Sequence, residues 1–124
     1  MNTHEQRNLA TAHRYIELYN HDIERFVPEC YTEDCQVHVM GRGVIEGHRP
    51  FLEVERTVLR AAPHRNMRLD HVHVTGDAVT IEVTLLNPAA GDDWVLPFVA
   101  VLNMRDGKIA IDRSYADWSR WPGL

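Results

Sequence analysis

Residues 94–117 of the chain read WVLPFVAVLNMRDGKIAIDRSYAD and predict one long β-hairpin. Two strand-like runs flank the Asp-Gly pair at 106–107, and a type I′ turn needs positive φ at both of its central residues. In the returning arm, side chains alternate between the two faces of a strand. Asp112 and Ser114 then share a face of small and polar residues, whereas the bulky Ile109 lies on the other face. Such a stripe is typical of a ligand-facing surface in a sheet that curls round a pocket.

The composition is that of one ordinary globular domain, which we expect to span residues 1–124. The formal net charge of −5 argues against a nucleic-acid partner, because phosphate binding needs clustered cations. No apolar run approaches the roughly 18 residues that a membrane span needs, and the first residues lack the apolar segment of a signal peptide. We therefore expect a cytoplasmic protein with no membrane partner. Cys30 and Cys35 fit no zinc or redox motif and are expected to be reduced.

Hydrophobic spacing predicts three helices and five strands. The first two helices carry apolar stripes at helical spacing, and the third begins at His48 and ends near Pro63. A first strand runs from Cys35 to Met40, and the glycine-containing stretch 41–47 is expected to be a loop. After the third helix the period changes to 2, which predicts strands over 68–75, 79–87 and the two arms of the hairpin. This order favours an α+β fold, a cone in which three helices pack on one face of a curled antiparallel sheet around a pocket.

An ordered set of short motifs spans nearly the whole chain: Arg14-Tyr15, Asn20, Asp22, Tyr31-Thr32-Glu33-Asp34, Gly47, Asp106-Gly107-Lys108-Ile109 and Arg113-Ser114-Tyr115-Ala116-Asp117. The set resembles the nuclear transport factor 2-like superfamily, and within it the SnoaL-like and ketosteroid-isomerase-like branch. The resemblance implies a cone-shaped, cystatin-like α+β barrel, assembly as a homodimer and a pocket for a small hydrophobic molecule. It also implies isomerisation, epoxide hydrolysis, aldol cyclisation or dehydration, without a metal or other cofactor.

The catalytic residues of two such relatives are mostly absent. Limonene epoxide hydrolases use an Arg-x-Asp pair on a central strand and an Asp before the last Tyr, and those positions fall on Glu82, Thr84 and Ser114. Ketosteroid isomerases place a Tyr on the first helix, which matches Tyr15, but their two acids fall near Val39 and Ala100. The resemblance therefore implies the fold and one tyrosine, and it leaves the reaction open.

Asp112 is the first candidate for catalysis. An acid in mid-strand either faces solvent, paired with Arg113 or Lys108, or lies in a pocket, where burial raises its pKa toward that of a useful acid or base. Glu82 is the second candidate. If its face lines the pocket, Glu82 and Asp112 form a carboxyl pair in which one pKa is raised. The alternative is an outward glutamate on a solvated face of the sheet.

Tyr15 and His38 complete the catalytic candidates. Tyr15 would donate its hydroxyl to a developing oxyanion, or it is a core residue whose hydroxyl is satisfied within the protein. His38 would act as a proton shuttle, or it is an exposed histidine. A metal site built from His38, His71 and His73 is not expected, because nothing in their spacing makes them converge. The residues expected to contact substrate are Val39, Ser114, Thr84 and Trp94.

Two functions remain open at this point. The first is a cofactor-free enzyme that acts by acid–base chemistry on a small hydrophobic molecule, as an isomerase, cyclase, dehydratase or hydrolase. The second is a ligand-binding or dimerising module without catalysis. Two buried ionisable groups close together in the pocket would favour the enzyme, and a pocket filled by apolar side chains would favour the module. Trp118 and Trp121 would cover the mouth of the pocket or pack in a dimer interface.

Overall fold

Three α-helices and six β-strands make up the computed structural model, which describes residues 1–124. The helices are α1 (Thr3–His21), α2 (Ile23–Cys30) and α3 (His48–Ala61). The strands are β1 (Tyr31–Val39), β2 (Gly43–Glu46), β3 (Asn66–Thr75), β4 (Ala78–Leu86), β5 (Val95–Arg105) and β6 (Lys108–Tyr115). Short polar side chains set the helix starts, since Asn2 caps α1 in a box with Glu5 and Asp22 caps α2. None of the helices combines the length and the hydropathy that crossing a membrane requires.

The strands form one curled, unclosed sheet in the order β2-β1-β6-β5-β4-β3. This arrangement confirms the predicted α+β fold with a curled sheet, but two details of the prediction are wrong. The sheet is not wholly antiparallel, because β1 pairs with the last strand, β6, in parallel. The stretch 41–47 is not simply a loop, because Gly41, at a φ of 83°, lets the chain turn back so that β2 pairs with β1.

The β5–β6 hairpin has the predicted turn and one unpredicted bulge. Asp106 and Gly107 have φ values of 52° and 77°, as the type I′ turn requires. Beyond the turn the register shifts, and Ala110 is left as the extra residue between the paired positions of β6. The bulge restarts the alternation. Ile109 is consequently fully buried on the same side as Asp112, and the sequence-based placement of Ile109 on the opposite face is wrong.

Aromatic side chains fill the space between the helices and the sheet near β1. The ring of Phe26 meets that of Tyr15 edge-on at 4.9 Å between centroids, and Tyr31 meets Phe51 in the same way at 4.8 Å. Each such pair adds about 0.5–1.5 kcal/mol beyond its buried area. Tyr31 and Phe26 are both almost completely buried. The cluster therefore gives β6 a rigid apolar neighbourhood on the side that faces the helices.

Candidate functional site

A small cavity lies between the helix-covered face of the sheet, α1, α3 and the C-terminal residues. Its room for water-sized molecules is about 50 Å³, which is enough for a few waters. Thirteen of its 16 lining residues are hydrophobic, among them Tyr15 and Tyr19. The other three are Glu55, Asp112 and Ser114. The polar groups are therefore few and stand in an apolar wall, as in binding sites for small molecules.

Asp112 lies in the middle of β6 and points into this cavity with only 2% of its surface exposed. The Tyr31 hydroxyl donates to its Oδ2 at 2.7 Å, and the Ser114 hydroxyl donates to its Oδ1 at 2.6 Å. Burial raises the pKa of Asp112, and the two hydroxyl donors act in the opposite direction. A carboxyl group held in this way has a fixed orientation and a proton affinity above that of a surface aspartate.

Glu55 on α3 is a second buried carboxyl group in the cavity, with 8% of its surface exposed. Its Oε2 atom has no hydrogen-bond partner. Burial raises the pKa of Glu55 to about 7, with the charge of Asp112 acting in the same direction and that of Arg65 opposing it. Glu55 was not among the candidates drawn from the sequence. The signal was present, because Glu55 stands at an apolar position of the α3 pattern, four residues after Phe51.

Two tyrosines flank the Asp112 carboxyl. Tyr15 lines the cavity and is 5% exposed. Burial raises the pKa of Tyr15 well above its ordinary value, and the charges of Asp112 and Glu55 add to the effect. The phenol therefore stays protonated and is available as a hydrogen-bond donor. Tyr31, which belongs to one of the sequence motifs but was not among the candidate site residues, is completely buried and holds Asp112 directly.

The structure does not bring Glu82 and Asp112 together, so the predicted carboxyl pair does not form. Glu82 lies on the outer face of the sheet, where its carboxylate contacts His73 at 2.7 Å. Thr84 also faces away from the cavity and donates its hydroxyl to Asp70 at 2.6 Å. The alternation along β4 explains both results, because the side chains that it turns into the core are those of Val79, Ile81, Val83 and Leu85.

The remaining predicted residues divide between the two faces. Val39 and Ser114 line the cavity. His38 does not, since its ring is on the outer side of β1 and lies 3.2 Å from the Gln36 side-chain oxygen. Trp94 is not a lining residue either and lies beneath the guanidinium of Arg120 at 5.2 Å. The structure contains no group of three His, Cys, Asp or Glu side chains that could hold a metal ion.

The C-terminal residues close one side of the cavity, and Trp118, Trp121 and Leu124 are part of its lining. The Trp118 indole donates to the carbonyl of Met40 at 3.1 Å. The Trp121 ring packs edge-on against Phe98 at 5.0 Å. Of the two places expected for these tryptophans, the structure shows the one at the pocket.

A protein-family model described as a SnoaL-like domain matches residues 12–111 of the chain. This range includes Glu55 and ends one residue before Asp112. No curated protein matches the chain with significance.

Solved structures share the architecture over nearly the whole chain. A candidate SnoaL-like polyketide cyclase from Jannaschia sp. CCS1 is 16% identical, with a TM-score of 0.82 over 96% of this chain and 91% of the other. Bal32a, from a soil-derived mobile gene cassette, is 16% identical, with a TM-score of 0.81 over 97% of each chain. A candidate ketosteroid isomerase from Kribbella flavida is 18% identical, with a TM-score of 0.74 over 90% of this chain and 78% of the other. Identities this low show a common fold and leave the reaction open.

Proposed function

This chain belongs to the SnoaL-like domain family, and on that premise we propose that it is a cofactor-free enzyme. It would act on a small hydrophobic substrate by acid–base chemistry, as an isomerase, cyclase, dehydratase or hydrolase. The observation that carries the proposal is the presence of two buried carboxyl groups, Asp112 and Glu55, in the wall of one apolar cavity. Buried acids with raised pKa values are costly to a fold and are typical of functional sites.

Asp112 is the group best placed to move a proton. Its raised pKa brings it nearer to neutrality, where a carboxyl group both accepts and returns protons efficiently. The hydroxyls of Tyr31 and Ser114 fix the orientation of the carboxyl group. Tyr15, which stays protonated, would donate a hydrogen bond to oxygen as negative charge develops there.

These roles fit a proton transfer next to a carbonyl group. Asp112 takes a proton from the carbon beside the carbonyl, and the electron pair moves to the carbonyl oxygen, which Tyr15 stabilises. Return of this proton from Asp112 to another carbon completes an isomerisation. In a dehydration, a hydroxide leaving group departs from the substrate and takes the proton from Asp112, which gives water. Neighbouring structures described as a polyketide cyclase and a ketosteroid isomerase support chemistry of this kind.

Entry of a substrate requires the cavity to enlarge. Its volume of about 50 Å³ is below the roughly 150 Å³ of a cavity that binds benzene. Trp121 and Leu124 follow β6 and belong to no strand, so their displacement would open the lining without breaking a strand pairing of the sheet. The substrate would therefore enter beside the C-terminal residues.

Hydrogen–deuterium exchange tests this proposal without knowledge of the substrate. The full chain is incubated in D₂O with a panel of small cyclic ketones, and proton NMR follows the signals beside the carbonyl. We expect exchange above the buffer rate for at least one ketone, and a loss of about a hundredfold or more in Asp112→Asn. Glu82, whose carboxyl group lies on the outer face of the sheet, provides the matched control. Glu82→Gln should keep the wild-type exchange rate.

A ligand-binding module without catalysis is the second candidate, favoured by the small volume and apolar lining of the cavity. If the chain is such a module, small apolar molecules should bind to it, and the protons beside the ketone carbonyl should exchange at the buffer rate. Equal rates in wild type, Asp112→Asn and buffer across the panel would reject the enzyme.

A further inference from the structure

Three buried polar atoms without hydrogen-bond partners belong to neighbouring residues beside the cavity. They are the Tyr19 hydroxyl, Glu55 Oε2 and Arg65 Nε. The exposed fractions of these residues are 2%, 8% and 5%. Tyr19 and Glu55 both line the cavity. More than nine in ten buried polar groups in proteins are hydrogen-bonded, so a cluster of unpaired ones calls for an explanation.

Arg65 has a structural role that leaves the other two groups free. Its Nη2 donates to the carbonyl oxygen of Tyr19 at 3.0 Å, and its guanidinium lies over the Tyr19 ring at 4.0 Å from the centroid. These contacts hold the ring in place, and the Tyr19 hydroxyl donates to no protein acceptor. Glu55 forms no ion pair with Arg65, although the two charges act on each other.

We propose that Glu55 and Tyr19 form a polar subsite that binds a hydroxyl group of the substrate. A hydroxyl is the complementary group, because it donates to the free Glu55 oxygen while it accepts from the Tyr19 hydroxyl. The rest of the lining is almost wholly apolar. The substrate class is therefore a small, mainly hydrocarbon carbonyl compound that also carries an alcohol or phenol hydroxyl. This inference rests on the proposed function, in that it takes the cavity to be the substrate site.

The subsite is distinct from the catalytic carboxyl in its protein partners. Both Asp112 oxygens already accept hydrogen bonds, from Tyr31 and Ser114. The fully buried and unpaired side-chain atoms of the lining thus belong to Tyr19 and Glu55 and not to Asp112. A substrate that binds its hydroxyl at the subsite leaves Asp112 free to act on another atom of the same molecule.

A pair of fluorinated probes tests the subsite on the full chain. 4-Fluorophenol and 4-fluorotoluene have nearly the same shape, and they differ in a hydroxyl against a methyl group. Titration followed by ¹⁹F NMR gives the dissociation constant of each. We expect the wild type to bind the phenol about tenfold more tightly, an effect between those of one hydrogen bond to a neutral and to a charged group.

Variants then assign the preference to residues. Tyr19→Phe keeps the ring on which Arg65 lies and removes only the hydroxyl, and Glu55→Met removes the carboxyl at similar volume. Both should bring the ratio of dissociation constants close to one. Tyr115→Phe is the matched control on the outer face, where the tyrosine is 46% exposed, and it should keep the tenfold ratio. Tyr19→Phe decides the matter even if Glu55→Met does not fold.

Each other result overturns the inference. Equal binding of the two probes to the wild type means that the unpaired groups bind an internal water only, and the proposed function still stands. A preference lost in Asp112→Asn but kept in Tyr19→Phe places the hydroxyl at the catalytic carboxyl. If neither probe binds, the cavity is not a ligand site, and the proposed function fails with it.

Discussion

Replacing Glu55 by Gln should remove part of the dependence of folding stability on pH. The folded-state pKa of Glu55 is about 7, against 4.5 for an ordinary glutamate. The folded protein therefore holds this proton more tightly than the unfolded chain does. The contribution to stability is complete below pH 4.5, falls as the pH rises toward 7, and is lost above that value. The amide introduced by Glu55→Gln has no proton to lose, so the variant should lack this decline.

The magnitude follows from the difference between the two pKa values. A difference of about 2.5 pKa units, at 1.36 kcal/mol for each, corresponds to about 3 kcal/mol. Between pH 4.5 and pH 8, the free energy of unfolding of the wild type should therefore fall by about 3 kcal/mol more than that of the variant. The comparison uses the change with pH, because the buried amide adds a cost that is the same at every pH. A difference of this size is a large part of the roughly 5–15 kcal/mol that stabilises a typical domain.

Urea denaturation at pH 4.5, 6, 7 and 8 measures the effect for both proteins. Glu46→Gln is the matched control, because Glu46 is exposed on β2 and forms no ion pair. The control should follow the wild-type curve. Parallel curves for wild type and Glu55→Gln would show that Glu55 titrates as an ordinary glutamate, and the reasoning from its burial would be wrong.

Three further predictions concern the cavity wall, the hairpin and assembly. Tyr31→Phe removes a donor to Asp112, so the pKa of Asp112 should rise further in a ¹³C carboxyl NMR titration. Gly107→Ala should lower the free energy of unfolding by about 1 kcal/mol in urea, because φ is +77° there. The outer sheet face exposes Tyr115 and Pro97, which we propose to be covered in a homodimer, so light scattering should give twice the 14.3 kDa chain mass.

Local sequence signals were sufficient for most elements of this fold. The Asp-Gly pair at 106–107 predicts its turn because the required positive φ values exclude most other residues. Asp112 and Ser114 are two positions apart on β6, which predicts a shared face, and both face inward. The parallel pairing of β1 with β6 was not predictable in this way, because it joins residues at least 75 positions apart and no turn specifies it.

Errors about the site arose where alternation alone could not identify the inner face. Glu82 alternates with Ile81 and Val83, and either face could have been the buried one until packing against α1 was known. The bulge at Ala110 reversed the expected side of Ile109 without any glycine to mark it. Glu55 was missed for a different reason. A carboxyl group at an apolar position of a helix signals either a buried acid or a residue that reaches solvent at the edge, and the sequence alone does not choose between the two.

Burial of the Glu55 carboxyl destabilises the fold above neutral pH, and this destabilisation supports a binding role for the residue. The lining around its carboxyl group is mostly apolar, and replacing buried charged groups by well-packed apolar ones is often neutral or stabilising. Met or Leu at this position would remove the penalty of about 3 kcal/mol above neutral pH. Asp112 has two hydroxyl partners that offset its burial, whereas Glu55 Oε2 has none. A carboxyl group that is destabilising, unpaired and directed into a cavity gains a hydrogen-bond partner only when a molecule binds there, and the hydroxyl of the proposed ligand is that partner.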